Sequence, residues 1–179
     1  YIVVDAGDEV ILVDQHAAHE RIRYEQLMDQ YSGDRLDSQG LLFPAVIDIK
    51  RSDIPLLQKH RFKLERLGIV LEHFGGESYL VKSLPVLLGK ITARDDVHDV
   101  IDDLLHNLYV KSIMELKEKL ITTAACRSSV KAGDSLSIEE MIKLLEDLLA
   151  TKCPSTCPHG RPTMVSLPRH LLEKNFLRK

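Results

Sequence analysis

The chain lacks several things, and each absence excludes a class. No apolar run among its 179 residues approaches the roughly 18–20 that a membrane span needs. No basic stretch precedes an apolar one at the start, so no secretory signal is visible. Three cysteines are too few, and an odd number, for a fully paired disulfide framework. There is no excess of positive charge: 24 Lys and Arg stand against 27 Asp and Glu, a net −3. A protein that holds DNA by phosphate contacts alone is usually basic, so this one is expected to bind nucleic acid weakly by itself. It also opens Tyr1-Ile2-Val3-Val4 without an initiator Met, and it reads as a piece of a longer protein.

What remains is an ordinary globular composition, 44% apolar and 28% charged. The length suits one domain, or one domain with a subdomain inserted. Tyr1–Asp5 and Glu9–Asp14 flank Ala6-Gly7-Asp8 as a hairpin. A helix is expected from Ala17 to about Tyr31. Leu41–Ile49 reads as extended, and Pro44 puts it at a sheet edge or a strand start. Ser52 is expected to cap a helix to about Leu67, with Gly68 at its end. Ile69–Leu71 and Ser78–Val81 flank Gly75-Gly76 as a second hairpin. From Asp95, Val97, Val100, Ile101, Leu104, Leu105 and Leu108 recur at helical spacing. Ser112–Lys131 continues as helix, closed by Gly133. Ser137 and Glu140 make a capping box ahead of another helix. A loop over Thr151–Pro162, a strand Thr163–Leu167 and a helix from Pro168 complete the chain. Strands and helices are mixed, so the fold class is α+β (mixed α/β).

Two stretches carry chemistry. In Asp14-Gln15-His16-Ala17-Ala18-His19-Glu20, an apolar strand runs into a helix. His16 and Glu20 are four apart, about 40° of rotation, so both side chains face one point. Asp14 adds a carboxylate from the strand end. Glu25 lies about 140° further round and is expected to support rather than bind. His19 points elsewhere and reads as surface. In Cys157-Pro158-His159-Gly160-Arg161-Pro162, thiol and imidazole sit two apart in a stiff loop, a pairing that suits Zn²⁺. Cys126, in an apolar helix, reads as inert core. Cys153 reads as a free thiol.

Together these pieces resemble the C-terminal domain of the MutL family of mismatch-repair proteins, in its endonuclease-bearing branch. Asp14-Gln15-His16-Ala17, two residues, Glu20, four residues and Glu25 match every fixed position of that family's endonuclease motif. Ala125-Cys126-Arg127, Cys157–Pro162 and Phe176-Leu177-Arg178 match its other three motifs in order. The resemblance implies one metal site with Asp14, His16, Glu20, Cys126, Cys157 and His159 as ligands. Asp14, His16 and Glu20 would be its catalytic face, with Glu20 bridging two ions. It implies Zn²⁺ in a regulatory or structural role and Mn²⁺ as the catalytic ion. Glu25, Arg127, Arg161 and Arg178 would support the ligands or meet a phosphate.

Gln39-Gly40-Leu41-Leu42-Phe43-Pro44 is similar to the peptide with which family members dock on the DNA sliding clamp, through Gln39, Leu41, Leu42, Phe43 and Pro44. A buried strand start is the plainer reading of the same residues. The family fold implies a dimerisation subdomain from 1–36 and 123–179, with a regulatory subdomain at 37–122 inserted. The implied function is nicking of one strand of duplex DNA by a homodimer that works with a sliding clamp and a MutS-type mismatch sensor. The implied location is cytoplasm and nucleoid, or the nucleus in a eukaryote. The alternative is a non-catalytic dimerisation and clamp-docking module with a structural zinc site.

Overall fold

A computed structural model of the chain describes residues 1–33, 35–89, 94–107, 112–129 and 135–178. In chain order its elements are β1 (Ile2–Asp5), β2 (Glu9–Val13), α1 (Gln15–Gln30), β3 (Ser38–Asp48), α2 (Ile54–Arg66), β4 (Val70–Gly75) and β5 (Ser78–Pro85). Then come α3 (Arg94–Asn107), α4 (Ile113–Ser128), α5 (Ile138–Leu149), β6 (Met164–Pro168) and α6 (Arg169–Asn175). The fold is α+β, with two antiparallel three-stranded sheets. Among the described residues no helix is long and apolar enough to cross a membrane. The chain divides into two compact units, Tyr1–Gln26 with Ser128–Lys179, and Leu27–Arg127. These divide at 26/27 and 127/128, where the resemblance places its joins at 36/37 and 122/123.

In the first unit β1 and β2 form the expected hairpin. Asp5 accepts the Gly7 N–H at 2.9 Å, and Gly7 takes φ +85°, a conformation that favours glycine. β6 pairs with β2, so the sheet order is β1-β2-β6. Ile2, Val13 and Met164 share one register row. That row faces a core of Ala18, Ile22, Leu144 and Leu148, supplied by α1 and α5. Strand side chains alternate, so the adjacent row, Val3, Leu12 and Val165, lies on the opposite face. Val3 and Val165 are exposed there. α5 opens with the expected capping box: Glu140 N–H donates to Ser137 Oγ at 3.2 Å, and Ser137 N–H to Glu140 Oε2 at 2.7 Å.

In the second unit β5 is central, in the order β3-β5-β4. β3 is an edge strand, and its register shifts between Gly40 and Ala45. Pro44 sits in that irregularity, where no ladder hydrogen bond is required of it. Ser52 does not cap α2. Asp53 holds the N-cap position with helical dihedrals, φ −95° and ψ −15°, so its side chain makes no cap bond. Ser52 instead donates to the Asp53 carboxylate at 3.0 Å. Gly68 ends α2 as expected, at φ +80°, and a Cβ there would meet Ser38 Cβ at 3.1 Å. α1 begins two residues before the expected Ala17, because Asp14 caps it. The expected helix end at Lys131, its closing Gly133, and Leu108 lie outside the described residues.

Candidate metal centre

The site is built where the central strand of the first sheet passes into α1. Asp14 N–H donates to Thr163 O at 2.9 Å, tying the end of β2 to the residue before β6. The Asp14 carboxylate accepts the N–H groups of His16 (2.9 Å) and Ala17 (3.1 Å). These are among the first N–H groups of the helix, which have no partner inside it. Asp14 thus fixes where the helix starts, and with it the position of His16 and, one turn on, Glu20. Ala17 and Ala18 are buried, and Ala18 belongs to the core of the first unit with Ile2, Val13 and Leu148.

Glu20 is 3% exposed. One of its oxygens lies 3.3 Å from His16 Nε2, and the other lies 3.3 Å from His159 Nδ1. Ligand atoms of Glu20, Cys157 and His159 all fall within 4.8 Å of one another. Cys157 is buried, whereas the His159 side chain is 42% exposed. The cluster is buried on the side of Cys157 and Glu20 and exposed on the side of His159. A carboxylate is costly to bury unless a cation or hydrogen-bond donors face it. Here an imidazole faces each oxygen, and the mixed N, O and S donor set fits a divalent ion such as Zn²⁺.

The second half of the cluster rides on a rigid loop. Cys157 N–H donates to Arg161 O at 2.8 Å, and Gly160 N–H to Cys157 O at 2.9 Å. Gly160 takes φ +80°, which the tight turn requires. Buried Thr163 donates its N–H to Ser155 O at 3.1 Å and its hydroxyl to Pro154 O. α1 also grips the loop directly. Arg21 Nε donates to Thr156 O at 2.6 Å. Glu25 accepts the N–H groups of Lys152 (2.8 Å) and Cys153 (3.2 Å), and Arg21 lies 3.7 Å from it. Glu25 therefore holds backbone, as its angle on the helix implied. Arg21 escaped the sequence reading, although its i,i+4 spacing to Glu25 was the available signal.

Replacing Glu25 by Ala should free this end of the loop. The expected outcome is a loss of about 1 kcal/mol locally, the worth of a hydrogen bond or two at an exposed site. Hydrogen exchange at the Lys152 and Cys153 amides should quicken several-fold, while the amides of α5 keep their protection.

Cys126 lies on α4, in the second unit, part-exposed rather than inert core. Arg127 pairs with Asp96 at 2.9 Å, so its charge is engaged within that unit. Arg161 and Arg178 are exposed. Cys153 is a free, exposed thiol, as expected. His19 points away from the cluster, as expected, but is less exposed than a plain surface residue. It is half-buried in a groove with Ile22, Arg23, Leu136, Lys143 and Asp147. Burial first, then the charges of Arg23 and His16, hold its pKa below the ordinary histidine value. In the second unit Gln39, Leu41, Leu42, Phe43 and Pro44 lie on β3, at or beside its irregularity. Leu42 is 87% and Phe43 83% exposed, so the segment is not a buried strand start.

Comparison with known proteins identifies a family. Residues 1–136 match the family model described as the MutL C terminal dimerisation domain. The chain is 40% identical over 178 residues to a DNA mismatch repair protein MutL of Caldanaerobacter subterraneus subsp. tengcongensis, covering 99% of this chain and 30% of that protein. A MutL of Geobacter sp. is 37% identical over 99% of the chain and 27% of its own length. One of Methanothrix thermoacetophila is 37% identical over the whole chain and 32% of its own length. The chain thus spans about a third or less of each of these relatives. With its matched residues reaching from the first hairpin through α4, the chain belongs to the family of MutL C-terminal dimerisation domains.

Proposed function

We propose that this domain is a metal-dependent endonuclease that nicks one strand of duplex DNA, and that it pairs the protein into a homodimer. The observation that carries the reading is the buried Glu20 carboxylate, faced on both oxygens by imidazoles, with Cys157 beside it and solvent above. Structural zinc sites are closed cages, whereas catalytic sites keep an open position. The exposure of His159 favours the catalytic reading over a purely structural zinc site.

A bound divalent ion would supply an activated water and neutralise charge on the scissile phosphate. The protein's own contribution is placement. Glu20 supplies buried negative charge that attracts a cation and orients both imidazoles. Cys157, held under the turn by the Arg161 carbonyl, offers a soft donor that favours Zn²⁺ in a regulatory or structural role. The oxygens of Glu20 suit a harder, catalytic Mn²⁺. Asp14 and Cys126 enter the ligand set on their motifs alone. Arg161, exposed on the loop, is the cation we assign to the phosphate.

The net charge of −3 suits an enzyme that is brought to DNA by others. We assign Gln39–Pro44 to the sliding clamp, and the exposed Leu42 and Phe43 on an edge strand support that assignment. A MutS-type sensor would supply the mismatch signal. The test is clamp-dependent nicking of supercoiled DNA by the full-length protein in Mn²⁺, with and without trace Zn²⁺. His159→Ala is expected to lower bound zinc and to lose most of the nicking. Nicking at the parent rate would remove His159 from the site.

A further inference from the structure

A different part of the second unit carries charge that the metal centre does not use. Residues 50–66 hold six Lys and Arg (Lys50, Arg51, Lys59, Arg61, Lys63, Arg66) against Asp53 and Glu65, in a chain whose net charge is −3. Both acids are engaged locally: Glu65 pairs with Arg61 at 2.9 Å, and Asp53 accepts the Ser52 hydroxyl at 3.0 Å. On α2 the buried residues are Leu57, His60 and Leu64. Lys59, Phe62, Lys63 and Arg66 fall within about 100° of arc on the other side. Phe62, at one edge of that stripe, is 70% exposed; Lys59 is exposed beside it, and Lys63 and Arg66 are part-exposed. The field is felt inside the helix as well. Burial first, then the charges of Lys63 and Lys59, keep His60 below the ordinary histidine pKa.

We infer that the outer face of α2, through Lys59, Phe62, Lys63 and Arg66, binds the sugar-phosphate backbone of duplex DNA. Lys59 and Arg66 are about 10 Å apart along the helix axis. That length lets the cations reach successive phosphates of one strand, while the ring of Phe62 covers the sugar between them. Each cation that meets a phosphate releases counterions, which gives affinity without sequence preference. A contact of this kind is weak and salt-sensitive, as suits a surface that keeps DNA near the clamp rather than choosing a site. The inference rests on the repair reading only in taking DNA as the polyanion.

The test is fluorescence anisotropy of a labelled duplex titrated with the full-length protein in EDTA, where no nicking is possible. Binding is therefore judged apart from the nuclease reading. The Lys59→Gln, Lys63→Gln double variant is expected to bind roughly tenfold more weakly at low salt, and to lower the slope of log affinity against log salt by about 2. Lys119→Gln with Lys174→Gln removes the same charge from exposed positions elsewhere and should leave binding unchanged. Equal losses in both double variants would overturn the inference, since only net charge would then matter. Tighter binding of single-stranded DNA, lost in Phe62→Ala, would overturn duplex as the occupant. So would binding to anionic lipid vesicles without binding to duplex.

Discussion

Glu20→Ala in the full-length protein is expected to abolish clamp-stimulated nicking while leaving the dimer intact. Glu20 is the residue on which the centre converges, because His16 and His159 each face one of its oxygens at 3.3 Å. Removing it takes away the buried carboxylate that would balance a cation and leaves two imidazoles without their common partner. Supporting residues around metal ligands typically cost 10–100-fold when removed, so a direct ligand should cost more than about 100-fold. Bound metal, measured after dialysis, should fall together with activity. The fold should persist, since the core of the first unit is Ile2, Val13, Ala18, Ile22, Leu144 and Leu148 and does not include Glu20. Nicking at even a tenth of the parent rate would take Glu20 out of the reaction.

The second large effect concerns association. The first sheet buries the row of Ile2, Val13 and Met164 and leaves Val3, Leu12 and Val165 on its other face. An apolar sheet face left to water on one side is unusual unless something covers it. The family is one of dimerisation domains, so the expected cover is the same face of a second copy, related by a twofold axis. Val3→Lys combined with Val165→Lys places four ammonium groups into such an interface, two from each copy. Buried unpaired charge of this kind should raise the dimer dissociation constant by at least about 100-fold, near 2.7 kcal/mol. Sedimentation velocity over a concentration series would show a monomer where the parent sediments as a dimer. A variant that sediments as the parent does would move the interface off this sheet.

How much of this could be read from the residues follows the distance between partners. The capping box at Ser137 and Glu140 spans three positions and was legible directly. The hairpins were legible because Gly7 and the Gly75-Gly76 pair mark their turns. His16 and Glu20 share a helix face by spacing alone. The contact between Glu20 and His159 bridges 139 positions and has no periodic signature. Only the motif resemblance pointed to it. Asp14 was read as a possible ligand, and one of its oxygens turned out to cap α1, because a carboxylate just before a helix has two N–H groups in reach. Ser52 has the residue type of a cap, but the chain is already helical at Asp53, where that geometry is lost. A single helix cannot reveal that α5 and its flanking Leu136 wall in one side of His19.

The first unit is assembled from the two sequence segments Tyr1–Gln26 and Ser128–Lys179, with about a hundred residues of the other unit between them. Glu20 therefore leaves the ribosome long before Cys157 and His159 do. A nascent or prematurely terminated chain that stops ahead of residue 152 carries Asp14, His16, Glu20 and Cys126 but lacks Cys157, His159 and the loop that Arg21 and Glu25 grip. It also lacks β6, the strand that pairs with β2. Because the two halves are separated in sequence, an incomplete translation product cannot assemble the cluster, and the chemistry proposed for it would appear only once the whole unit has been made.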